Sequence, residues 1–191
     1  GEFEEVEIKR LVKIFETKTF HFVKIFNALV LLTTVIFSFL YWDLHAHTVM
    51  SNAIFMLALG LHASCFVVIL AHEFVHGETK IDQIFSTLLL LSSGVPHFLN
   101  EHKFGHHNFV GTERDYTSAN KGENFYLFFI SSLKNKITFP FSHSKYFNRI
   151  LQKKMVSYQA LMYILFFILI ICITLFSNHK IQFVSLFIGH C

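Results

Sequence analysis

The sequence has little charge, few cysteines and no recognisable export signal, and each shortage excludes a class of protein. Only 15% of the 191 residues are charged, against about a quarter in a typical soluble domain. The cysteines are Cys65, Cys172 and Cys191. They lie far apart and form no CxxC pair, so they predict neither a disulfide framework nor a cysteine metal site. The first twenty residues are charged and lack the apolar core of a cleavable signal.

Apolar residues are abundant instead. Hydrophobic residues make up 53% of the chain, 25 of them phenylalanine, and the mean hydropathy is +0.48. Apolar runs reach the length of about 20 residues that a membrane-spanning helix needs, which a very apolar soluble helical protein would not require. We therefore expect an all-α, multi-span integral membrane protein, with 1–191 a single membrane domain and spans near 22–42, 51–71 and 155–176.

The segment near 81–96 is apolar but short. Its apolar part, Ile81–Leu91, ends at a breaker that contains Gly94 and Pro96. Fewer than about fifteen apolar residues before such a breaker favour an interfacial or re-entrant segment over a full crossing, and we expect the re-entrant one. A re-entrant path returns the following residues to the side of the membrane that they left.

Basic residues predict the orientation. The loop 43–50 has no Lys or Arg, whereas five precede or enter the first span and nine lie in 101–154. Because Lys and Arg are enriched in cytoplasmic loops, we expect a cytoplasmic cap at 101–154. The net charge of +3 therefore argues about orientation, and no nucleic-acid partner is expected.

Two groups among the 13 histidines have metal-ligand spacing. The first histidine box is His72 and His76, four residues apart and hence on one helix face. The second histidine box is His102, His106 and His107. In a regular α-helix, His102 and His106 share a face and His107 points about 100° away from His106, toward a possible second ion.

Three interpretations of these boxes remain open. A lone helical histidine is more often a hydrogen-bonded packing residue, but imidazoles beside lipid are costly unless metal or partners satisfy them. Residues 72–76 also satisfy HExxH, the zinc protease signature in which Glu73 would be the general base. Five imidazoles exceed what one tetrahedral zinc needs and suit two ions such as iron. His97 is a candidate for supporting the ligands, or for a ligand itself.

The motifs resemble a known family. Residues 72–76 are similar to the HE-x-G-H box of membrane alkane monooxygenases, in the histidine-box di-iron hydroxylase and desaturase superfamily. Residues 96–107 resemble that family's GHFxxEHxxGHH segment, and 111–115 with 122–126 resemble its TPED and GE-S/N-FW stretches. The sequence departs from the pattern at Val75, Pro96, Glu113 and Arg114, and two later histidine boxes of the family are absent.

The resemblance implies a non-haem di-iron site that uses O2 to hydroxylate an alkane or fatty-acyl-type chain. It also implies rubredoxin as electron donor, a lipid environment, and a bacterial inner membrane location with the histidines facing the cytoplasm. No catalytic residue beyond the metal ligands is implied. Because later ligands are missing, we expect a fragment that is inactive alone. The alternatives are a desaturase-like di-iron enzyme, a membrane zinc metalloprotease, or a non-catalytic remnant. The residues that match the family's iron ligands are His72, His76, His102, His106 and His107.

Overall fold

A computed structural model describes residues 18–44, 48–115, 117–142 and 148–176. These residues form helices joined by turns, with no strand among them, which confirms the predicted all-α class. The chain divides into two compact units, with Ser93 closing the first and Gly94 opening the second. The termini on which the fragment expectation rests, and residues 143–147 of the expected cap, lie outside the described residues. The single membrane domain expected over 1–191 stays a prediction.

The first unit contains a long helix and a second helical stretch with a π-helical turn inside it. Thr48 caps the start of this second stretch, and its hydroxyl accepts the Ser51 N–H at 3.2 Å. Such a cap satisfies one of the free N–H groups at a helix start. The elements are α1 (Lys18–Asp43), α2 (Val49–His62), the π-helical turn π1 (Ala63–Val67), α3 (Val68–Val75) and α4 (Lys80–Ser92).

The core of the first unit lies where α3 packs against α4. Phe74 of α3 is 1% exposed, and its ring stacks on Phe85 of α4 at 5.3 Å. Ala28 of α1 and Ala71 of α3 are fully buried, and a methyl side chain at such positions lets helices approach closely. The core therefore lies directly beside the first histidine box, which α3 carries. Other buried side chains of this core are Val67, Val75, Leu89 and Leu90.

Three helices are long and apolar enough to cross a membrane. They are Lys18–Trp42, Val49–Val75 and Arg149–Cys172, and they overlap the expected 22–42, 51–71 and 155–176. Large apolar side chains point away from the protein along them, as at Phe37, Ile54 and Phe167. In water such surfaces would drive aggregation, whereas lipid is a compatible solvent for them. The predicted membrane architecture is therefore confirmed, and its cytoplasmic orientation stays a prediction.

Helix α4 is the short element that sequence places in a re-entrant segment. It has 13 residues, below the length of about 20 that a crossing needs. Thr79 caps its start, and Asp82 completes a capping box by accepting the Thr79 N–H. Gly94, soon after its end, has φ 70°, a conformation that glycine adopts without steric cost. The re-entrant path over 81–96 itself stays a prediction.

The second unit carries the second histidine box and the third long helix. A short helical path contains a second π-helical turn, and a loop then leads to two longer helices. The box segment is tied to the last helix because the side-chain N–H of Asn100 donates to the Met155 carbonyl at 2.8 Å. The elements are α5 (Phe98–Asn100), the π-helical turn π2 (Glu101–His106), α6 (His107–Phe109), α7 (Phe125–Ser142) and α8 (Arg149–Phe176).

Candidate metal centre

The first histidine box is a pair of neighbouring imidazoles at the end of α3. Four residues of regular helix bring the His72 and His76 rings to 4.7 Å between centroids. The ligand nitrogens that they offer lie within 4.8 Å of one another. The His72 side chain is 39% exposed, and His76 is exposed as well. The pair is therefore accessible, and its two donors can chelate one ion.

Glu73, the acid of the HExxH pattern, does not face into a buried site. Its side chain is 52% exposed, and its carboxylate lies 3.9 Å from Nδ1 of His72. A general base must lie within hydrogen-bond reach of the proton it abstracts, in a site that excludes bulk water. The surroundings of Glu73 in the described residues provide no such enclosure.

The second histidine box differs from the regular helix that the sequence predicts. His102 and His107 are the residues that meet, with their Nε2 atoms 3.0 Å apart. The physical reason is π2: hydrogen bonds in a π-helix join residues five apart, so a residue and its fifth successor lie one above the other. The prediction that His107 points away from the other two histidines is therefore wrong in this respect. His102 and His107 have the close pair of nitrogens, whereas the His106 ring stacks on His102 at 5.7 Å between centroids and its Nδ1 faces Asp115.

The distance between these two nitrogens suits metal ligation. Two imidazole nitrogens bound at right angles to one ion, each ~2.1 Å from it, would lie roughly 3.0 Å apart. Without a cation, one of the two nitrogens must carry a proton and donate it to the other. His102 is 9% exposed, and its ring stacks on Phe98 at 4.8 Å between centroids. Packing thus fixes one member of the pair before any ion binds.

His106 is held by a buried carboxylate. Its Nδ1 lies 2.9 Å from Oδ2 of Asp115 and 2.8 Å from the Thr117 hydroxyl. The Asp115 side chain is fully buried. Since an ionised carboxylate only accepts, His106 donates its Nδ1–H, which leaves Nε2 as the free donor for a metal.

Asp115 is ionised because hydrogen bonds outweigh its burial. Burial by itself would raise its pKa, but the hydroxyls of Thr117 and Ser118, the Thr117 N–H and His106 lower the pKa to about 2. The hydroxyls donate at 2.6 and 2.7 Å. Asp115 lies in the motif 111–115, but the motif by itself assigns it no role. The available signal was an acid followed two and three residues later by Thr117 and Ser118, the spacing at which an aspartate accepts hydrogen bonds within a turn.

His97 and Asn100 connect the box segment to α8. His97 is 7% exposed, and its Nδ1 lies 3.5 Å from the Tyr163 hydroxyl. Asn100 is 2% exposed and lies 3.4 Å from the side-chain oxygen of Gln159, besides its bond to Met155. These contacts anchor His97 to α8. They agree with the expected role of His97 in supporting the ligands, one of the two roles that the sequence suggests.

The donor set as a whole consists of imidazoles. The first box offers two and the second offers three, and Asp115, the carboxylate beside the second box, is engaged by four donors rather than open to a cation. Imidazole nitrogen suits zinc, copper, iron and nickel, whereas magnesium and calcium take oxygen ligands. The donors of each box therefore fit a transition metal.

Comparison with known proteins gives a family. The family model described as fatty acid desaturase matches residues 46–189, a range that contains both histidine boxes. Alkane 1-monooxygenase of Acinetobacter baylyi is 41% identical over 71 residues, which cover 35% of this chain and 17% of that protein. Alkane 1-monooxygenase 1 of Pseudomonas aeruginosa is 32% identical over 73 residues, which cover 38% and 19%.

The alignments thus span less than a fifth of the length of these two relatives. No solved structure matches the chain. The family match, in contrast, extends over most of the chain and agrees with the histidine boxes and the apolar helices found in the structure. The chain belongs to the fatty acid desaturase family.

Proposed function

We propose that this chain forms part of a membrane non-haem di-iron monooxygenase that hydroxylates alkane or fatty-acyl-type hydrocarbon chains. The observation that carries the proposal is the second histidine box. There a π-helical turn pairs the Nε2 atoms of His102 and His107, and a buried carboxylate holds His106 with its own Nε2 free. The similarity to two alkane 1-monooxygenases supports hydroxylation.

The proposed ligands are the five imidazoles of the two boxes: His72, His76, His102, His106 and His107. Because more than four donors exceed one tetrahedral zinc site, two ions are the better fit. Iron, when bound, supplies the O2 chemistry: R–H, O2, two electrons and two protons give R–OH and water. The relatives are longer than the aligned stretch, so further ligands can come from residues beyond the two boxes.

The chain's own side chains would hold and shield this chemistry. Asp115 keeps a proton on Nδ1 of His106 and so fixes the orientation and basicity of that ring. The ring of His102 is buried by its packing, and the apolar surface of the spans is compatible with a hydrocarbon as the reacting chain. The same apolar surface is compatible with a substrate that arrives from the lipid.

The electron donor and the location follow as parts of this proposal. A small redox protein of the rubredoxin type is proposed as donor, and the bacterial inner membrane as location, with the boxes on the cytoplasmic side. The basic residues of 101–154 support both points. They favour the cytoplasmic face, and they would attract an acidic carrier.

A desaturase-like di-iron enzyme is the second candidate function. It is favoured by the family model, whose description names desaturation. Both enzymes use the same metal and oxidant, and they differ in whether the chain gains oxygen or loses two hydrogens. The zinc protease alternative is not favoured, because Glu73 is exposed and the family match is to another class.

The experiment is metal analysis followed by product analysis. The longest natural form of the protein is purified in mild detergent, beside His106→Ala and beside His143→Ala, a histidine outside both boxes. About two irons per chain, lost in His106→Ala and kept in His143→Ala, are expected. One zinc per chain that survives His106→Ala contradicts the proposal. Alcohol formed from an alkane or acyl chain supports the hydroxylase, and alkene supports the desaturase.

A further inference from the structure

A buried ion pair in the first unit lies outside the set of proposed metal ligands. Lys24 is the one charged residue in the apolar stretch 22–42. Its Nζ lies 2.7 Å from Oδ1 of Asp82, which belongs to α4. The Lys24 side chain is 10% exposed and that of Asp82 is 4% exposed. Charges so deeply buried beside lipid are costly unless paired, and they commonly serve a function.

Asp82 is fully engaged and charged. Its second oxygen accepts from the Thr79 hydroxyl at 2.6 Å and from the Thr79 N–H at 3.2 Å. Burial would raise the pKa of Asp82, but its hydrogen bonds with Lys24 and Thr79 and the charge of Lys24 lower it. His21 also faces this carboxylate, with Nδ1 4.0 Å away. The carboxylate is thus fixed by α1 on one side and by the start of α4 on the other.

The same ammonium group touches the helix that carries the first histidine box. Nζ of Lys24 lies 4.4 Å from the centre of the Phe74 ring, a cation–π distance. Phe74 stands between His72 and His76 in sequence and is 1% exposed. Lys24 therefore contacts both α3, at the middle of the box, and α4, through Asp82.

Gly77 completes the link because it follows His76 directly. A β-carbon built on Gly77 would overlap atoms of Asp82, and the three nearest obstacles all belong to that side chain. Its φ is not among the positive values found at other glycines, so the backbone itself would accept alanine. Glycine is thus required here by the approach of Asp82 to the chain just after the box.

We propose that Lys24 and Asp82 are positioning residues for the proposed metal centre, because their buried pair fixes the end of α3 from which His72 and His76 project. The inference rests on the proposed function. Neither residue is a ligand: Lys24 acts on the box through the Phe74 ring, and Asp82 acts through its contact with the backbone at Gly77. The pair connects the first span to the first histidine box, a connection that short-range sequence patterns do not predict.

The test measures Co²⁺ binding to the metal-free protein in its longest natural form. Affinity is obtained by competition with a chelator, and the visible ligand-field spectrum of bound Co²⁺ reports ligand geometry. Lys24→Met and Asp82→Asn are expected to weaken Co²⁺ binding about tenfold and to shift the spectrum, in the range found for residues that orient metal ligands. Lys24→Arg keeps the charge, so its Co²⁺ affinity should stay within twofold of the parent's and its spectrum should be unchanged. Lys18→Met, which changes an exposed lysine of α1, is the matched control and should change neither.

A second pair of variants separates positioning from folding. The double variant Lys24→Met/Asp82→Asn removes both charges and leaves neither one buried alone. It should therefore unfold at the parental temperature, even where a single variant unfolds at a lower one. Gly77→Ala keeps both charges but displaces Asp82. Both are expected to show the shifted Co²⁺ spectrum.

A parental affinity and spectrum in these two folded proteins would overturn the inference while leaving the proposed metal centre intact. A parent protein that takes up no Co²⁺ and no iron would contradict the proposed function itself.

Discussion

The two histidine boxes use the same side chain in opposite settings. The first lies on regular helix, with His72 partly exposed, His76 exposed, and the two rings close together because they are four residues apart. The second lies in a π-helical turn, where His102 is buried and meets its fifth successor. The first box is supported from outside by an ion pair, and the second is supported by hydrogen bonds to its own rings and backbone.

This difference teaches where the two boxes are sensitive. The first depends on the placement of a whole helix, since the ion pair of Lys24 and Asp82 acts on α3 and on the chain just after it. In the second, two of the three rings have restraints of their own: stacking on Phe98 for His102 and the Asp115 carboxylate for His106. Changes at the second box should therefore affect stability and metal binding together, and changes at the first should affect metal binding alone.

The largest expected effect separates the boxes directly. His102→Ala and His76→Ala should each abolish stoichiometric iron binding, because each removes a proposed ligand. His102→Ala should also destabilise the metal-free protein by about 2 kcal/mol, since it empties a packed site. His76→Ala should leave the unfolding of the metal-free protein within about 0.5 kcal/mol, since the ring is exposed. Thermal unfolding of the metal-free variants in detergent measures these changes in stability. Equal losses of stability in His102→Ala and His76→Ala would contradict the difference between the two boxes.

The next effect concerns the carboxylate that holds His106. Asp115→Asn should weaken metal binding about 10- to 100-fold, as expected when the partner of a ligating histidine is altered. The amide can no longer hold the Nδ1 proton with a charge, although its shape is kept. Asp115→Glu tests whether charge alone suffices, and chelator competition gives the affinities. Unchanged affinity in Asp115→Asn would show that His106 needs no fixed tautomer.

Acid should weaken the first unit through Asp82. Its pKa is lowered from 3.8 by Lys24 and Thr79, against the effect of burial. A carboxyl with a lowered pKa in the folded state adds stability above its unfolded value, and this stability is lost as pH falls through the folded value. Unfolding of the metal-free protein should therefore become easier below about pH 4.

The control for the acid effect is Asp82→Asn, which has no carboxyl to protonate at this position. Its stability should be lower than the parent's at neutral pH, and the gap should narrow as the pH falls below 3.8. A gap that stays constant down to pH 2 would show that ionisation of Asp82 does not contribute to the stability of the fold.

The smallest expected effect is at Glu73. Its side chain is half exposed, so Glu73→Gln should change iron content and metal affinity less than twofold. A protease of the HExxH type would instead lose its general base and nearly all activity. Peptide hydrolysis by the parent that disappears in Glu73→Gln would overturn the oxygenase proposal.

Much of the membrane architecture could be predicted from sequence. Long apolar runs at 22–42, 51–71 and 155–176 determine helices because lipid offers the backbone no alternative hydrogen-bond partner. The spacing of His72 and His76 predicts a shared face because their segment is ordinary α-helix. Both inferences use only local periodicity and hydropathy, and both of these can be calculated directly from the order of residues.

The sequence by itself thus determined the helical class, the spans and the first box. Only the tertiary structure decided which histidines of the second box meet, since a π-helical turn looks like any other helix in the sequence. It also decided that Asp115 holds His106 and that Lys24 finds Asp82, 58 residues away. A buried charge or carboxylate needs a hydrogen-bond partner. Which residue becomes that partner depends on how the helices pack, and the local spacing of residues does not predict the packing.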